Sequence, residues 1–280
     1  QQQQANPLSK YFRQPKLFAS LPSNGKFYPA GALETTETGE YPIYSMTAKD
    51  ELTMKTPDAL LNGQATVELI KSCVPNIKDP WNLPSIDLDA LLIAIRLATY
   101  GETMTLQVKT PVTGEEKEMS VSLRDILDNF SGIEFDNVIQ TGDMTVYLRP
   151  LTYKEFTKSA LKTFEQQRIF NIVNDKDMSD EEKVDRFGVS FVRLTELTVE
   201  NIADVVKQID TPNGSETDAA QIKDFILNSN KDIFEALSQG LNAMKAQLDL
   251  KVKNSKCDKC EHIFDINVTM DQADFFGARS

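Results

Sequence analysis

The pattern of hydrophobic and polar positions along the chain predicts helices and strands in the same body. Leu88, Leu91, Leu92 and Ile95 recur at the spacing of one buried helix face. Residues 104–108 and 117–123 alternate hydrophobic and polar side chains around a turn-like segment, which is typical of a β-hairpin. The short alternating segment Tyr41–Tyr44 reads as an edge strand, because Pro42 lacks an amide hydrogen. The sequence therefore predicts the α+β class.

Two stretches with the same local pattern predict an internal duplication. Met46–Asp50 and Leu151–Glu155 match position for position, and each contains a threonine, Thr47 or Thr152, that suits the N-cap of a helix. Both stretches follow a predicted strand and precede helices and a predicted hairpin. We expect two degenerate repeats of strand, capped helices and β-hairpin.

The second repeat is longer, which predicts a helical insertion across about residues 174–230. Ser179–Glu182 has the pattern of a capping box, Phe187, Phe191 and Leu194 share a helical spacing, and 218–228 resembles a further helix. The predicted domains are an extended basic arm (1–30), an N-terminal α+β domain (31–143), a mainly helical domain (144–247) and a C-terminal hairpin (248–280).

Charge separates the arm, residues 1–30, from the rest of the chain. The arm carries four basic side chains and no acidic one, whereas the whole chain has 30 basic and 42 acidic side chains and a net charge of −12. The remaining 26 basic and 42 acidic side chains give residues 31–280 a net charge of −16. Such acidity argues against binding along a nucleic-acid backbone, which needs a clustered cationic face.

The arm also carries aromatic side chains and three prolines that keep it extended. It joins the body through the segment Leu21–Pro29, where Asn24 and Gly25 predict a tight turn. Aromatic anchors on an extended segment suit grooves on a neighbouring protein. The alternative is that the same side chains pack onto the chain's own core. The predicted partner-binding residues are Tyr11, Phe12, Arg13, Phe18, Leu21, Lys26, Phe27 and Tyr28.

The candidate metal site is Cys257-x-x-Cys260 followed by His262, between two predicted strands. Zinc takes four ligands, so the set would be completed by a partner, by Cys73, or not at all. A strand rather than a helix follows the pair, which argues against redox use. The cofactor prediction is therefore none or zinc.

Other chemistry finds little support in the sequence. His262 is the single histidine, and no phosphate-binding loop, dinucleotide fingerprint or zinc-protease motif occurs. No stretch approaches the roughly 20 apolar residues of a membrane span. We expect a soluble, non-enzymatic protein.

One set of segments is informative as a group: Leu21–Pro29, Met46–Leu52, Asp87–Arg96, Tyr100–Gly101, and the terminal hairpin with Cys257, Cys260 and Asp274–Phe276. Together these segments resemble the baseplate-hub family of T-even-type contractile-tailed phages. The resemblance covers most of residues 20–123 and 248–280 and is thin between them. Where relatives carry extra cysteines at the first hairpin tip, this chain has Pro111–Gly114, which weakens the case for a complete zinc ribbon.

The resemblance implies a tail protein made in the host cytoplasm and located in the virion tail baseplate. We expect a structural hub protein that takes part in tail assembly by docking to other baseplate or hub proteins, without a membrane or nucleic acid. Association of several copies of the chain is compatible with that role. The alternatives are a hub-assembly chaperone absent from the mature virion and a zinc-ribbon nucleic-acid-binding protein.

Overall fold

The computed structural model divides the chain into two compact units. Unit 1 comprises residues 1–80, 86–132 and 250–280, and unit 2 comprises 81–85 and 133–249. The structure describes residues 8, 11–56, 59–60, 62–109, 114, 116–130, 137–162, 196–246, 251–256, 262–267 and 275–276. Within these residues, no helix has the length and apolar character needed to cross a bilayer.

The described residues of unit 1 form three two-stranded antiparallel sheets and short helices around one long helix. The strands pair as β1 (Pro15–Ser20) with β2 (Glu40–Tyr44), β3 (Thr103–Lys109) with β4 (Glu116–Ser122), and β9 (Lys251–Lys256) with β10 (Ile263–Asn267). The helices are α1 (Ala48–Met54), α2 (Gln64–Cys73), α3 (Ser85–Tyr100) and α4 (Leu123–Asp128). The predicted first hairpin is confirmed, with Thr103 opposite Ser122 and Lys109 opposite Glu116.

Helix α3 forms the core of unit 1. Its predicted buried stripe is confirmed, since Leu88, Leu91, Leu92 and Ile95 are all at most 5% exposed. Burial extends to the other faces of the helix, because most side chains of α3 are apolar. Two charged side chains of α3, Asp87 and Arg96, are also buried. The guanidinium of Arg96 donates to the Phe275 carbonyl and lies 5.0 Å from the Phe275 ring centroid.

Unit 2 is built on a four-stranded antiparallel sheet in the order β5-β6-β7-β8. These strands are β5 (Val138–Thr141), β6 (Met144–Leu148), β7 (Val206–Thr211) and β8 (Gly214–Glu216), and two helices follow them, α5 (Ala219–Asn228) and α6 (Lys231–Ala246). Residues 153–162 and 196–205 are also helical. Gly240 of α6 lies against Ile139 of β5 so closely that a Cβ atom would collide with the isoleucine side chain.

The elements expected from the duplication occur in both halves. Strand β2 precedes α1, whose N-cap Thr47 accepts from the Asp50 amide, and β6 precedes a helix whose cap Thr152 accepts from the Glu155 amide. The 16-residue helix α3 precedes hairpin β3–β4, and the 16-residue helix α6 precedes hairpin β9–β10. The α+β class is confirmed.

The helical insertion is predicted wrongly for residues 206–216, which form β7 and β8. Val206 and Ile209 turn into the core of unit 2, and the turn that joins the strands ends at Gly214 with φ of 141°. The part predicted as mainly helical thus contributes three strands to one sheet. The predicted helix at 218–228 is confirmed, with Asp218 as its N-cap. Ser179–Glu182, Phe187, Phe191 and Leu194 lie outside the described residues.

Candidate functional site

The Leu21–Pro29 segment folds into consecutive tight turns. The Asn24 amide donates to the Leu21 carbonyl (2.8 Å), and the Lys26 amide donates to the Ser23 carbonyl (3.0 Å). Asn24, Gly25 and Phe27 have φ of 51°, 74° and 70°. Asparagine and glycine tolerate this left-handed region well, which explains why this pair occurs at the predicted turn.

The turns bring three donors from two residues of the arm onto one buried carboxylate, that of Asp87 in the first turn of α3. The Ser23 amide donates to Asp87 Oδ1 (2.7 Å), while the Ser23 hydroxyl (2.6 Å) and the Tyr28 hydroxyl (2.9 Å) donate to Oδ2. Asp87 is fully buried, and this burial raises the pKa of its carboxyl to about 6 despite the bonds from Ser23 and Tyr28. Burial, followed by the nearby Asp87, raises the pKa of Tyr28 far above its usual value.

A second anchor holds the arm before β1. Arg13 donates to the carbonyl oxygens of Ser45 (2.6 Å) and Ser72 (2.5 Å), and to the Ser72 hydroxyl (2.8 Å). Its guanidinium also lies 3.7 Å from the Asp50 carboxylate and 5.6 Å from the Tyr44 ring centroid. Arg13 therefore links the arm to the start of α1 and the end of α2.

Between the anchors, β1 presents alternate side chains to solvent. Leu17 and Ala19 face inward, whereas Lys16, Phe18 and Ser20 face outward. Phe18 is 61% exposed, and Tyr11 and Phe12, just before β1, are 72% and 59% exposed. Three large aromatic side chains of one short segment are therefore exposed on a strongly acidic protein.

A cavity of about 310 Å³ lies beside the exposed Phe18. Leu21 lines it from the arm, and Arg124, Leu127 and Phe130 line it from α4 and the residue two positions after it. Among the described residues β1 pairs with β2 alone, so the far edge of β1 keeps unpaired backbone groups. The arm thus offers the exposed Phe18 ring, a cavity and a strand edge next to one another.

The structure separates the eight predicted partner-binding residues into two groups. Tyr11, Phe12, Phe18 and Lys26 lie at the surface, and Phe27 is half-buried. Arg13, Leu21 and Tyr28 are committed to contacts within the chain, Leu21 being only 2% exposed. For these three, the role in the structure is to anchor the arm. The alternative, in which side chains of the arm pack onto the chain's own core, therefore applies to these three residues.

Sequence reasoning did not single out Asp87, which enters it only as the first residue of the segment Asp87–Arg96. The available signal was an acid between Ile86 and Leu88 in a largely apolar helix, where an unpaired buried carboxylate would be costly. Such an acid needs donors from elsewhere in the chain. The sequence did not show that the arm supplies them.

The predicted zinc ligands Cys257 and Cys260 lie outside the described residues, and His262 is exposed immediately before β10. Among the residues that are described, no three histidine, cysteine or acidic side chains cluster as metal ligands would. Cys73 is buried at the end of α2, and burial raises the pKa of its thiol to about 11. The zinc site stays a prediction.

Comparison with known families identifies the chain. A family described as "T4 bacteriophage base plate protein" matches residues 15–277, which begin at the first residue of β1 and include both β9 and β10. The chain belongs to this family. No curated protein and no solved structure matches it. The resemblance to T4-type baseplate proteins is confirmed, and membership gives the chain a structural role in the phage tail baseplate.

Membership also bears on the anchored arm. The matched residues include Phe18 of β1 and the anchoring residues Ser23, Tyr28 and Asp87. Tyr11 and Phe12 precede the matched range. The carboxylate-anchored turn is therefore within the part of the chain that the family description covers. Baseplate location and contact with other tail proteins follow from the family.

Proposed function

We propose that the chain is a structural component of the baseplate hub and docks onto neighbouring hub or baseplate proteins through the outer face of its arm. The observation that carries the proposal is the exposure of three aromatic side chains. Phe18 lies on the strand that is anchored on both sides, and Tyr11 and Phe12 lie just before the Arg13 anchor. The function is one of contact and needs no catalytic residue.

Anchoring supports docking because it lowers the entropy lost on binding. Arg13 fixes the chain before β1, and Ser23 and Tyr28 fix it afterwards, so the outward face of β1 is formed before a partner arrives. Aromatic side chains presented in this way are typical of the few residues that dominate interface energies.

The positive charge of the arm favours a partner whose surface is acidic or neutral. Lys16 and Lys26 are exposed, and the arm contains no acidic side chain, although the chain as a whole is strongly acidic. The arm can therefore approach an acidic neighbour that the rest of the chain repels.

Replacement of the three exposed rings tests the proposal. The phage that encodes the chain is made to carry Tyr11→Ser, Phe12→Ser and Phe18→Ser together, and the copies of the chain in purified tails are counted by quantitative mass spectrometry. Because aromatic hot spots contribute about 2 kcal/mol each, incorporation should fall at least roughly tenfold.

The matched control removes three exposed apolar side chains elsewhere, Leu52, Phe156 and Leu227, which are 69%, 46% and 52% exposed. Their replacement by serine should leave incorporation unchanged. Normal incorporation of the arm variant would contradict docking through the arm. If the wild-type chain itself were absent from purified virions while the arm variant still blocked assembly, the chain would be a hub-assembly chaperone instead.

A further inference from the structure

The second unit contains a pocket whose charge is opposite to that of the chain. It has a volume of about 540 Å³ and is lined by five cationic side chains, those of Arg149, Lys158, Lys162, Lys207 and Lys223. The chain as a whole has 42 acidic and 30 basic side chains. A cluster of five cations around one concavity is therefore a local reversal, and we call it the cationic pocket.

Two carboxylates in the cationic pocket offset only part of this charge. Glu200 accepts from both Lys162 and Lys223, each at 2.8 Å. Burial, followed by repulsion from Glu155, raises the pKa of the second carboxyl, Asp204. With five cations and two carboxylates, the lining side chains carry a net formal charge of +3, whereas the whole protein carries −12.

The remaining cations are available to a ligand. Arg149 is held by Glu155 through two bonds of 2.8 Å, whereas Lys158 and Lys207 are exposed and form no ion pair with any residue that the structure describes. Lys158 comes from the helical residues 153–162 and Lys207 from β7. Two lysines on separate elements therefore face one concavity without a fixed counter-charge.

The other lining residues indicate which kind of anion fits. The apolar part consists of Ala203, Val206, Ala219 and Ala220, so no aromatic ring is present among the lining residues to stack on a nucleobase. The volume exceeds that of a small inorganic anion and lies in the range of pockets that hold side chains or small ligands. Lysines recognise carboxylates as point charges without demanding one geometry.

We propose that the cationic pocket binds an acidic peptide segment of another protein. Charge complementarity argues for this occupant, since the pocket concentrates positive potential in a low-dielectric concavity. The proposal extends the docking function to a second surface. It rests on that function only in supposing that the partner belongs to the same assembly.

Binding of a defined peptide by the purified full-length chain tests the proposal. Fluorescein-labelled hexaglutamate is titrated with the chain, and its anisotropy is followed at low salt and at about 0.15 M salt. We expect saturable binding that weakens with salt, and no binding of labelled hexaglutamine. Failure of hexaglutamate to bind more tightly than hexaglutamine would overturn the proposal.

Charge-reversal variants locate the binding site. K158E/K207E should weaken hexaglutamate binding by at least roughly fivefold, since it reverses two lysines that have no fixed partner. The control K49E/K154E has the same net charge and reverses two exposed lysines outside the pocket, one of them in the same helical segment as Lys158. Equal loss in the two variants would overturn the proposal, because the attraction would then be general. Matching circular-dichroism melts confirm that both variants fold.

Competition against bound hexaglutamate distinguishes a peptide from other possible occupants of the cationic pocket. Inorganic phosphate or an oligothymidylate that displaces hexaglutamate at equal or lower concentration would overturn the peptide assignment. Sedimentation of the unlabelled chain tests the remaining case, and dimers that K158E/K207E abolishes would make a second copy the occupant. These measurements use no virion and leave the arm intact, so their failure is distinct from failure of the proposed arm docking.

Discussion

The two units begin a helix with the same motif but connect it to the rest of the chain differently. In unit 1 the Thr47 amide donates to Asp50 (2.7 Å) and the Asp50 amide donates to Thr47 (3.2 Å). In unit 2 the Thr152 amide donates to Glu155 (2.8 Å) and the Glu155 amide donates to Thr152 (3.3 Å). In both cases an arginine also contacts the acid of the capping box.

The arginines come from different distances along the chain. Arg149 lies just after β6, six residues before Glu155, and forms a two-pronged ion pair with it at 2.8 Å. Arg13 comes from the arm, 37 residues before Asp50, and bonds mainly to Ser45 and Ser72 around that acid. The same local motif therefore closes a local contact in unit 2 and a tertiary anchor in unit 1.

This difference assigns separate roles to two similar sequences. In unit 2 the arginine adds to a helix start that already has its cap. In unit 1 the arginine holds the arm in place, and the Ser23–Asp87 contact holds it again at the other end of β1. Docking through the arm should therefore depend far more on the long-range anchors, Arg13 and the Ser23–Asp87 contact, than on the local contact of Arg149.

The largest effect is expected where the long-range contact is deepest. Asp87→Ala removes the acceptor of three donors and leaves the buried Ser23 amide and hydroxyl without it, which should lower the free energy of unfolding by about 3 kcal/mol. Urea denaturation measures the loss. Trypsin should also cleave faster after Lys16 and Lys26, because the arm is released.

Asp89→Ala is the matched control for this substitution. Asp89 lies two residues further along α3, and no hydrogen bond joins it to the described part of the arm. Its loss should cost less than about 1 kcal/mol and leave cleavage of the arm unchanged. Equal destabilisation by the two variants would show that the carboxylate of Asp87 is no special anchor.

Removal of each arginine compares the two capping boxes directly. The side chains of Arg13 and Arg149 are both 30% exposed, but Asp50 is 8% exposed and Glu155 is 35% exposed. Arg13→Ala removes the cation next to a more deeply buried acid and leaves two carbonyl oxygens without their donor, so we expect a loss of about 2 kcal/mol. Arg149→Ala should cost about 1 kcal/mol, because Glu155 can be hydrated.

Hydrogen exchange of the arm separates the two arginine variants further. Arg13→Ala should speed exchange of the β1 amides, whereas Arg149→Ala should leave them protected. A loss of stability that is equal or larger in Arg149→Ala, with β1 unaffected in both, would contradict the distinction between a tertiary and a local anchor.

Local signals in the sequence predicted the parts of this comparison that depend on neighbouring residues. Thr47 and Thr152 were identifiable as caps because a capping box spans only four residues. The contact between Ser23 and Asp87 joins residues 64 apart, so no periodicity or capping rule could report it. The strands β7 and β8 were missed for the same reason, because the pairing of β7 with β6 joins residues far apart in the chain and is set by tertiary packing.

Replacement of Glu200 in unit 2 should have the smallest effect on stability. The pH dependence of its contribution is opposite in sign to that of Asp87. Hydrogen bonds from Lys162, then Lys223, lower the pKa of Glu200 to about 2 from 4.5, so its stabilisation is complete above pH 4.5 and lost as the pH falls toward 2. The pKa of Asp87 is raised to about 6 from 3.8, so its contribution to stability falls as the pH rises between these values. Solvent screens the Glu200 pairs, and Glu200→Gln should cost less than about 1 kcal/mol at neutral pH. Urea unfolding across acidic pH should show this cost shrinking below pH 4.5, whereas a cost that stays constant with pH would contradict the ion pairs as its source.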